Sequence, residues 1–528
     1  MSTELFNASE YLLDRRVAAG DEDRLALTGP GGDLSYSQLL DSVRRTSSVL
    51  VELGLRPEQR LLMVVADSPD FVTLYLSAMR IGAIPVPVST MLPGPDIAEL
   101  LRDSRAPVMA FSPQFAAAAV AAAAEAPELR VLLTTGERPD SAPPLPLHPL
   151  AELMRTVGPI DFVYSTIADS PAFWLYTSGT TGSPKAAMHR HGSVPVVCES
   201  YGNQVLGIRR DDRTLSAAKG FFAYGLGNSL LFPLSVGAAS ILEPAPSRPD
   251  SIPARAREYG ATLFFAGPTF FANMLRADLP TDVLAGVRLA VSAGEALPAG
   301  LYHRWTDRFG VDIIDGIGMT ETLHIFLSNR PGEVRAGTTG VAVPGYEVRV
   351  VDEGGHETAA GEPGALVVRA DSAATGYWSR YAASRQVFAG EWVRTGDTYV
   401  RDADGFHTCL GRTGDMLKAG GIWVSPAEVE ARLLAHDTVG QAVVVAGIDP
   451  DGLEKPVAFV VLAADRTTTE ADLVAFCRDG LASFKRPRRV MLVDAYPATA
   501  TGKIRRVELR ATASAILQGE ADASVATS

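Results

Sequence analysis

A strand, a helix and a second strand follow one another early in the chain, and this order constrains the fold more than any other feature. The run Leu61–Val65 is continuously apolar, as expected of a strand that is buried on both faces. A helical pattern over Phe71–Ile81 and the apolar run Ile84–Val88 come next. Two buried strands on either side of a helix predict parallel strands covered by helices, so the predicted fold class is α/β.

Similar strands recur later and end in glycine turns. The runs 263–268 and 288–295 each lead into such a turn, and the strand predicted over 311–315 leads directly into Gly316. Binding loops usually lie at the carboxyl ends of parallel strands, so these turns are predicted to face a ligand. Shorter β segments, including 347–351 and 365–369, then predict a smaller β subdomain.

Length and composition limit the functions that the chain can have. With 528 residues it exceeds a single ordinary core, and 47% hydrophobic and 21% charged residues are globular values. A net charge of −13 argues against non-specific binding to nucleic acid or anionic membranes. The three cysteines are far apart and form no CxxC motif, and the first residues lack the pattern of a signal peptide. A cytoplasmic protein without a membrane segment is predicted.

The stretch from Tyr176 to Lys185 has the composition of a phosphate-binding loop. It reads Tyr-Thr-Ser-Gly-Thr-Thr-Gly-Ser-Pro-Lys and follows an apolar run. Gly179 and Gly182 allow backbone N–H groups to face a common concave surface, hydroxyl groups add donors, and the lysine adds a positive charge. The Walker pattern is excluded because no Gly-Lys-Ser/Thr step leads into a helix.

Four further motifs follow this loop along the chain. They are Thr320–Glu321, Arg394–Asp397, Gly411–Lys418 and Thr501–Arg505. In composition and order the set resembles the adenylate-forming enzymes, which comprise acyl-CoA ligases, peptide-synthetase adenylation domains and firefly-type luciferases. The resemblance covers most of the chain, and it implies ATP and magnesium as cofactors.

The resemblance also implies a domain organisation. It is a large N-terminal domain of parallel α/β subdomains plus a small β subdomain, hinged to a small α+β C-terminal domain. The predicted segments are an ATP- and acid-binding domain over 1–411, a hinge over 412–415, a mobile C-terminal domain over 416–515 and a flexible tail over 516–528.

Site residues follow from the matching motif positions. The predicted phosphate-binding residues are Thr177, Ser178, Gly179, Thr180, Thr181, Gly182 and Lys185. The other predicted nucleotide-binding residues are Gly294, Glu295, Asp315, Gly316, Ile317, Asp397 and Arg412. Asp315 is expected at the adenine amine and Asp397 at the ribose hydroxyls. The predicted catalytic residues are Thr320, Glu321 and Lys503, of which Glu321 holds magnesium and Lys503 bridges the substrate carboxylate and the α-phosphate.

Two positions depart from the family pattern. Ile317 stands where an aromatic residue usually stacks on adenine, which predicts weaker ATP binding. Gly414 stands at the hinge position that is usually Asp or Lys. Because glycine reaches backbone conformations closed to other residues, the hinge is predicted to pivot with little intrinsic preference between states.

The acid substrate is predicted from the residues around the aromatic loop. Amino-acid-activating relatives place an Asp where this chain has Phe222, which cannot pair with an ammonium group. The ranges 219–228 and 315–329 resemble the benzoate-CoA ligase branch. Carried across, that branch's acid pocket comprises Ala223, Tyr224, Ala293, Gly318, His324 and Ile325. A core role for His324 is the alternative. The predicted function is ATP-dependent activation of benzoate or a related aryl acid through an acyl-adenylate, with release of AMP and pyrophosphate.

The acceptor thiol is left open by the residues themselves. Gly420 and Gly421 match the loop that lines the pantetheine tunnel, which fits CoA, the predicted co-substrate, as well as an acyl carrier protein. A non-catalytic nucleotide or acyl-adenylate sensor and a luciferase-like oxygenase are alternatives from other classes. The assembly state is also open, with a homodimer as the candidate.

Overall fold

The computed structural model describes residues 4–139, 143–178, 184–419, 422–450, 453–498 and 504–519. The chain forms two compact units. The first comprises Met1–Ala336, Gly340–Val348 and Val368–Val393, and the second comprises Gly337–Thr339, Arg349–Val367 and Arg394–Ser528. Residues 394–411, predicted to belong to the N-terminal domain, cluster with the second unit. The hinge over 412–415 stays a prediction.

Short strands and α-helices alternate along the chain. The strands are β1 (Leu25–Thr28), β2 (Leu34–Ser35), β3 (Arg60–Val64), β4 (Ile84–Pro87), β5 (Val108–Phe111), β6 (Val131–Thr134), β7 (Leu147–Pro149), β8 (Pro171–Ser178), β9 (Pro184–Arg190), β10 (Arg213–Ser216), β11 (Ala239–Ile241), β12 (Leu263–Ala266), β13 (Leu289–Ser292), β14 (Ile313–Gly318), β15 (Ile325–Ser328), β16 (Val341–Ala342), β17 (Glu347–Val351), β18 (Pro363–Arg369), β19 (Phe388–Ala389), β20 (Trp392–Arg401), β21 (His407–Arg412), β22 (Leu417–Ala419), β23 (Ile422–Val424), β24 (Val439–Ile448), β25 (Glu454–Leu462) and β26 (Arg489–Leu492). The α-helices are α1 (Tyr36–Glu52), α2 (Pro69–Arg80), α3 (Gly94–Ser104), α4 (Ala116–Ala123), α5 (Leu150–Thr156), α6 (Ser193–Val197), α7 (Ala223–Leu226), α8 (Phe232–Val236), α9 (Ser251–Tyr259), α10 (Pro268–Arg276), α11 (Ala299–Phe309), α12 (Tyr381–Val387), α13 (Pro426–Leu434), α14 (Glu470–Arg478) and α15 (Arg506–Gln518).

The strand–helix–strand pattern that opened the sequence argument folds as predicted. β3 and β4 pair in parallel, and their five-stranded parallel sheet has the order β4-β3-β5-β6-β7. Between them α2 begins at an N-cap, where the Ser68 hydroxyl accepts a hydrogen bond from Phe71 N. Leu62, Phe111 and Trp174 belong to the core on this sheet. The prediction of parallel α/β layering is confirmed.

The larger sheet of the first unit has the strand order β16-β15-β14-β13-β12-β10-β11-β1-β2. Its central strands, from β14 across to β1, pair in parallel. Its outer strands β2, β15 and β16 are antiparallel to their neighbours. Phe264, Phe271 and Trp305 belong to the core that packs on it. Because β12 and β13 are adjacent and parallel, the turns after them leave the same edge of the sheet.

One strand of this sheet extends further than its sequence indicated. The prediction ended the strand at Asp315, whereas β14 continues to Gly318. The reason is the partner strand, because residues 316–318 pair antiparallel with β15. Gly316, Ile317 and Gly318 are therefore held extended by hydrogen bonds to β15, and not by the strand propensity of this glycine-containing segment.

The second unit contains its own sheet and helices. β24, β25 and β26 form a three-stranded sheet, and β22 pairs with β23. Val429 and Leu473, from α13 and α14, pack in its core, and Leu509 of α15 packs in a second cluster. α15 continues to Gln518, into the segment predicted as a flexible tail. Among the described helices, none is long and apolar enough to cross a membrane.

Candidate active site

The turns at the ends of β13 and β14 hold several predicted nucleotide-binding residues. Gly294 follows β13 with φ of +94°, a conformation that L side chains rarely adopt. The neighbouring Glu295 accepts a hydrogen bond from the Thr269 hydroxyl, with oxygen–oxygen distances of 3.1 and 2.8 Å. Asp315 and Ile317 lie on β14, with Asp315 buried and Ile317 half-buried. The first unit therefore gathers these residues on adjacent strands.

Asp315 is a buried carboxyl group with an available acceptor. It is 4% exposed, and its Oδ1 has no hydrogen-bond partner among the described residues. Burial raises its pKa to about 8. A buried, unpartnered acceptor costs free energy unless a ligand donor reaches it, and the adenine amine is the donor that the family resemblance predicts.

Asp315→Asn is expected to flatten the pH dependence of stability. The folded-state pKa of Asp315 is raised above its unfolded value, so its contribution is fully present below the unfolded pKa and is lost as pH rises toward about 8. The slope approaches about 1.4 kcal/mol per pH unit within that window. The thermal midpoint of Asp315→Asn minus that of the parent should rise between pH 6 and pH 8 and stay constant above pH 8. Differential scanning calorimetry measures both midpoints.

The exposed Asp211 offers a control for this titration. Its carboxylate is 92% exposed in an ion pair with Arg24, so Asp211→Asn should follow the parent at each pH. A midpoint difference between Asp315→Asn and the parent that stays constant with pH would contradict the buried neutral carboxyl.

The predicted magnesium ligand Glu321 lies in a single helical turn, Thr320–Thr322. It is 6% exposed. The turn is anchored from β9, where His189 Nε2 lies 2.8 Å from Thr320 O. Burial lowers the pKa of His189 to about 4, so the ring is neutral at pH 7 and its Nε2 proton is donated to the carbonyl oxygen. Phe173 stacks on the same ring at 5.0 Å between centroids, which fixes its plane.

A second contact reaches Glu321 from the segment that follows β18. The Tyr377 hydroxyl donates a hydrogen bond to Glu321 Oε1. Lys185 Nζ lies over the ring of the same tyrosine, 5.7 Å from its centroid. The structure therefore brings Glu321 and Lys185, two predicted ATP-binding residues, to the same tyrosine.

The hairpin β8–β9 carries the two ends of the predicted phosphate loop. Thr177 on β8 pairs with Lys185 on β9, so the loop leaves and re-enters adjacent strands. Gly179, Thr180, Thr181 and Gly182 lie outside the described residues, as does the side chain of Ser178. Their phosphate-binding role stays a prediction.

The aromatic loop before α7 is anchored by a buried carboxyl group. Asp67 accepts the Gly220 N–H at 3.0 and 3.2 Å to its two oxygens. The next-door Lys219 donates to the backbone oxygens of Glu243 and Ala245, each at 2.6 Å. These contacts of Lys219 and Gly220 fix the loop in place.

Tyr224 and His324 form the centre of the predicted acid pocket. The Tyr224 hydroxyl donates to Val291 O at 2.9 Å, and the two rings have centroids 5.6 Å apart. His324 Nε2 lies 3.3 Å from Tyr224 O. Burial lowers the pKa of His324 to about 3, so the ring is neutral at pH 7. His324 is thus held among aromatic rings without a charge.

The remaining pocket residues surround this pair. Gly318 at the end of β14 pairs with Ile325 at the start of β15. A Cβ at Gly318 would lie 2.6 Å from His324 C and O, so only glycine fits there. Ile325 covers Gly316, where a Cβ would lie 2.9 Å from Ile325 Cγ2. Ala223 begins α7 and Ala293 follows β13, and both are buried.

A strained backbone position precedes His324. Leu323 has φ of +70° and ψ of −44° although it is neither glycine nor asparagine. Its neighbours hold it there, since the Thr322 hydroxyl donates to His324 O at 3.1 Å and Ser372 Oγ donates to Thr322 O at 2.7 Å. Such strain clusters at functional sites, and here it sets the direction of the His324 ring.

The second unit holds the other predicted nucleotide-binding residues. Asp397 on β20 is opposite Arg412 on β21, and Arg412 Nε lies 3.1 Å from Asp397 Oδ1. Burial raises the pKa of Asp397 although the Arg412 charge opposes this shift. Asp397 N also donates to Thr395 Oγ1 at 3.1 Å. The buried carboxylate is oriented by a cation and by its own strand.

The predicted hinge residue Gly414 lies in an exposed turn of this unit. Its carbonyl oxygen accepts from Arg510 Nη2 at 2.6 Å, and the same guanidinium forms an ion pair with Asp415. A Cβ at Gly414 would meet nothing within 4 Å. The turn is therefore held by α15 and has room for a side chain.

The described site residues suit a magnesium ion that arrives bound to ATP. In the described ranges no group of three or more His, Cys, Asp and Glu could hold a metal by itself. One buried carboxylate, that of Glu321, accords with magnesium bound through one or two protein oxygens and substrate phosphates.

Three further predicted site residues have no described geometry. Gly420, Gly421 and Lys503 lie outside the described residues, so their roles stay predictions. The sequence argument in turn missed His189, Tyr377 and Asp67. Of these, only Tyr377 carried a visible signal, because it stands beside a glycine and a tryptophan in an otherwise polar stretch.

Comparison with known families agrees with this arrangement. Residues 14–378 match the family of AMP-binding enzymes, and residues 428–503 match the AMP-binding enzyme C-terminal domain. The first match alone spans well over half of the chain. The protein therefore belongs to the AMP-binding, adenylate-forming enzymes, which confirms the predicted superfamily and its α/β fold.

Aryl-CoA ligases are among the similar proteins. The chain is 42% identical over 514 residues to 4-hydroxybenzoate-CoA/benzoate-CoA ligase of Rhodopseudomonas palustris, covering 96% of this chain and 94% of that protein. The solved benzoate CoA ligase of Burkholderia xenovorans superposes with a TM-score of 0.88 at 41% identity, covering 96% and 100%. An anthranilate CoA ligase solved with anthranoyl-AMP superposes at 0.91 with 36% identity, covering 98% and 99%.

Proposed function

We propose that this protein is an ATP-dependent ligase that activates benzoate or a closely related aryl acid as its acyl-adenylate and transfers the acyl group to CoA. AMP and pyrophosphate are the other products. The similarity to aryl-CoA ligases over nearly the whole chain supports this class of reaction. The three cysteines are free thiols, which suits a reducing cytoplasm as the place of action.

The observation that carries the proposal is the uncharged environment of Tyr224 and His324. Tyr201 and Phe232 have ring centroids 5.4 and 4.5 Å from that of His324, which burial keeps neutral. Small residues on the faces and aromatic rings at the edge suit a flat, uncharged ring. An α-ammonium group would need a buried counter-ion, and Phe222 stands at the position where amino-acid-activating relatives carry one.

The chain's own residues divide the adenylation step between them. Glu321 would hold magnesium, which when bound to ATP neutralises charge on the phosphate oxygens. Lys185 and the hydroxyl groups of the phosphate loop would bind the departing pyrophosphate. Asp315 would accept a hydrogen bond from the adenine amine, and Asp397 would accept hydrogen bonds from the ribose hydroxyls. These bonds would fix the position of the α-phosphate relative to the acid. Lys503 would then neutralise charge between the attacking carboxylate and the α-phosphate.

A thioester-forming assay tests the proposal. Benzoate, hydroxybenzoates, anthranilate and an aliphatic acid are each supplied with ATP and magnesium, against CoA and against a holo carrier protein. Benzoyl-CoA and AMP should form fastest with benzoate or a lightly substituted benzoate. Faster transfer to the carrier protein than to CoA would identify the carrier protein as the acceptor. Nucleotide binding without formation of any acyl-adenylate would indicate a sensor.

Ile325→Ala is expected to move the preference toward ring-substituted benzoates. Ile325 is 1% exposed and packs against Gly316, so its truncation opens space beside the predicted ring site. A change of this size is worth about 1–3 kcal/mol of discrimination. The measurement is the ratio of kcat/KM values for benzoate and 4-substituted benzoates.

The matched control is Ile252→Ala on α9. Ile252 is equally buried, in the core of the larger sheet, so its truncation should lower stability and leave the ranking of acids intact. If Ile325→Ala also leaves the ranking intact, Ile325 does not line the pocket.

A further inference from the structure

The segment 374–378 connects the two sides of the predicted ATP site. Thr375 N donates to Met188 O at 2.9 Å and Met188 N donates to Gly376 O at 3.0 Å, so the segment lies as an added strand against β9. At its start, Ala374 N donates to Glu321 O at 2.8 Å. The segment is thus fixed both to the strand that leaves the phosphate loop and to the Glu321 turn.

Tyr377 lies where these two attachments meet. It is 6% exposed, its backbone bridges Ala187, and its ring packs on Phe388 with centroids 5.4 Å apart. Its hydroxyl donates to Glu321 Oε1 and its ring face lies 5.7 Å from Lys185 Nζ. A rigid ring held by its own backbone thereby contacts both a carboxylate and a cation of the predicted site.

The hydrogen bond between Tyr377 and Glu321 has a fixed direction, from the hydroxyl to the carboxylate. The Tyr377 hydroxyl carries the proton of this contact, because an ionised carboxylate is an acceptor only. The hydroxyl can only donate to the ionised carboxylate, and charge-assisted bonds of this kind are the strong ones. The bond engages Oε1, which sets the rotation of the carboxylate and leaves Oε2 outside the tyrosine contact.

We propose that Tyr377 is a positioning residue for the metal-binding carboxylate: its hydroxyl holds Glu321 Oε1 so that Oε2 faces the magnesium ion that accompanies ATP. The proposal rests on the proposed function, in which Glu321 binds that ion. Partners of metal ligands in such positions typically change metal affinity by roughly 10–100-fold. Tyr377 need not touch the substrate to have this effect.

Equilibrium binding of ATP without any acid tests this role, since no turnover occurs. Affinity is measured by calorimetry with magnesium and with EDTA, for the parent and for Tyr377→Phe, which keeps the ring beside Lys185 and removes only the hydroxyl. The parent should bind ATP more tightly with magnesium. Tyr377→Phe should lose roughly 10–100-fold of that gain while its affinity in EDTA is unchanged.

Two further variants make the result specific. In a Glu321→Gln background, Tyr377→Phe should have no additional effect, because the ligand it orients is gone. Tyr302→Phe also removes a phenol–carboxylate bond, the 2.9 Å contact with Asp312 Oδ1, and should keep the full magnesium gain. 4-Fluorophenylalanine at position 377, which fills the volume without a donor, gives the same measurement if Tyr377→Phe does not fold.

The outcomes distinguish failure of the proposed function from failure of the proposed role of Tyr377. If the parent gains nothing from magnesium, the proposed function itself fails. If the parent gains and Tyr377→Phe retains the whole gain, Tyr377 does not position Glu321 and the inference is overturned. Equal losses with magnesium and with EDTA would place Tyr377 in the nucleotide site without any role toward the metal, which overturns it as well.

Discussion

Lys503→Ala is expected to stop adenylate formation while leaving thioester formation nearly intact. During adenylation the ammonium group would lie between the attacking carboxylate and the α-phosphate, where charge is concentrated and water excluded. Its loss should cost roughly 3 kcal/mol, or about 100-fold in rate. In the proposed function, the C-terminal domain would rotate for thioester formation and carry Lys503 away from the reacting atoms. Supplied benzoyl-adenylate should therefore react with CoA at close to the parent rate.

The two half-reactions are measured separately for this variant. Benzoate-dependent pyrophosphate exchange reports adenylation, and release of CoA thioester from synthetic benzoyl-adenylate reports the second step. Arg505→Ala is the matched control, because Arg505 is a neighbouring cation engaged with Glu508 at 2.9 Å and should affect neither step. A folded Lys503→Ala that loses both steps equally would mean that Lys503 does not leave the site.

Gly414→Pro is expected to impair one half-reaction about 100-fold more than the other, the cost of a small misplacement of catalytic groups. Proline fixes φ near −65° and restricts the residue before it, Thr413. Thr413 N donates to Gly396 O at 2.9 Å in the present turn. A pivot that must adopt two backbone conformations cannot keep both with φ fixed, so one arrangement of the C-terminal domain should be lost.

Gly414→Ala is the control for this hinge. A Cβ at that position meets nothing within 4 Å, so alanine should preserve the turn and its contact with Arg510. Both half-reactions, measured as for Lys503, should then be close to those of the parent. A proline variant that stays folded and keeps both half-reactions would show that the pivot lies elsewhere.

Sequence reasoning succeeded where the relevant physics is local. The predicted helix over Phe71–Ile81 is α2. It follows from periodicity within one segment. The short strands predicted over 347–351 and 365–369 correspond to β17 and β18. Both strands are short runs that contain several valines, which is also a local signal.

Prediction was weaker where a neighbour in space decides the conformation. The extension of β14 through Gly318 depends on β15, and the positive φ of Leu323 depends on hydrogen bonds from Thr322 Oγ1 to His324 O and from Ser372 Oγ to Thr322 O. Neither residue type favours the conformation it adopts. Ser372 lies 50 positions from Thr322, so no short window around Leu323 contains it.

The sequence by itself determined the family and the α/β class, and it predicted the phosphate loop, because these depend on residue types at short, ordered spacings. Only the tertiary structure decided that Tyr377 contacts Glu321, that His189 supports the same turn and that Asp315 is buried with a raised pKa. Contacts between residues more than fifty positions apart depend on the order of strands in a sheet. A pKa shift by desolvation depends on every atom packed around the group, and that packing exists only in the folded chain.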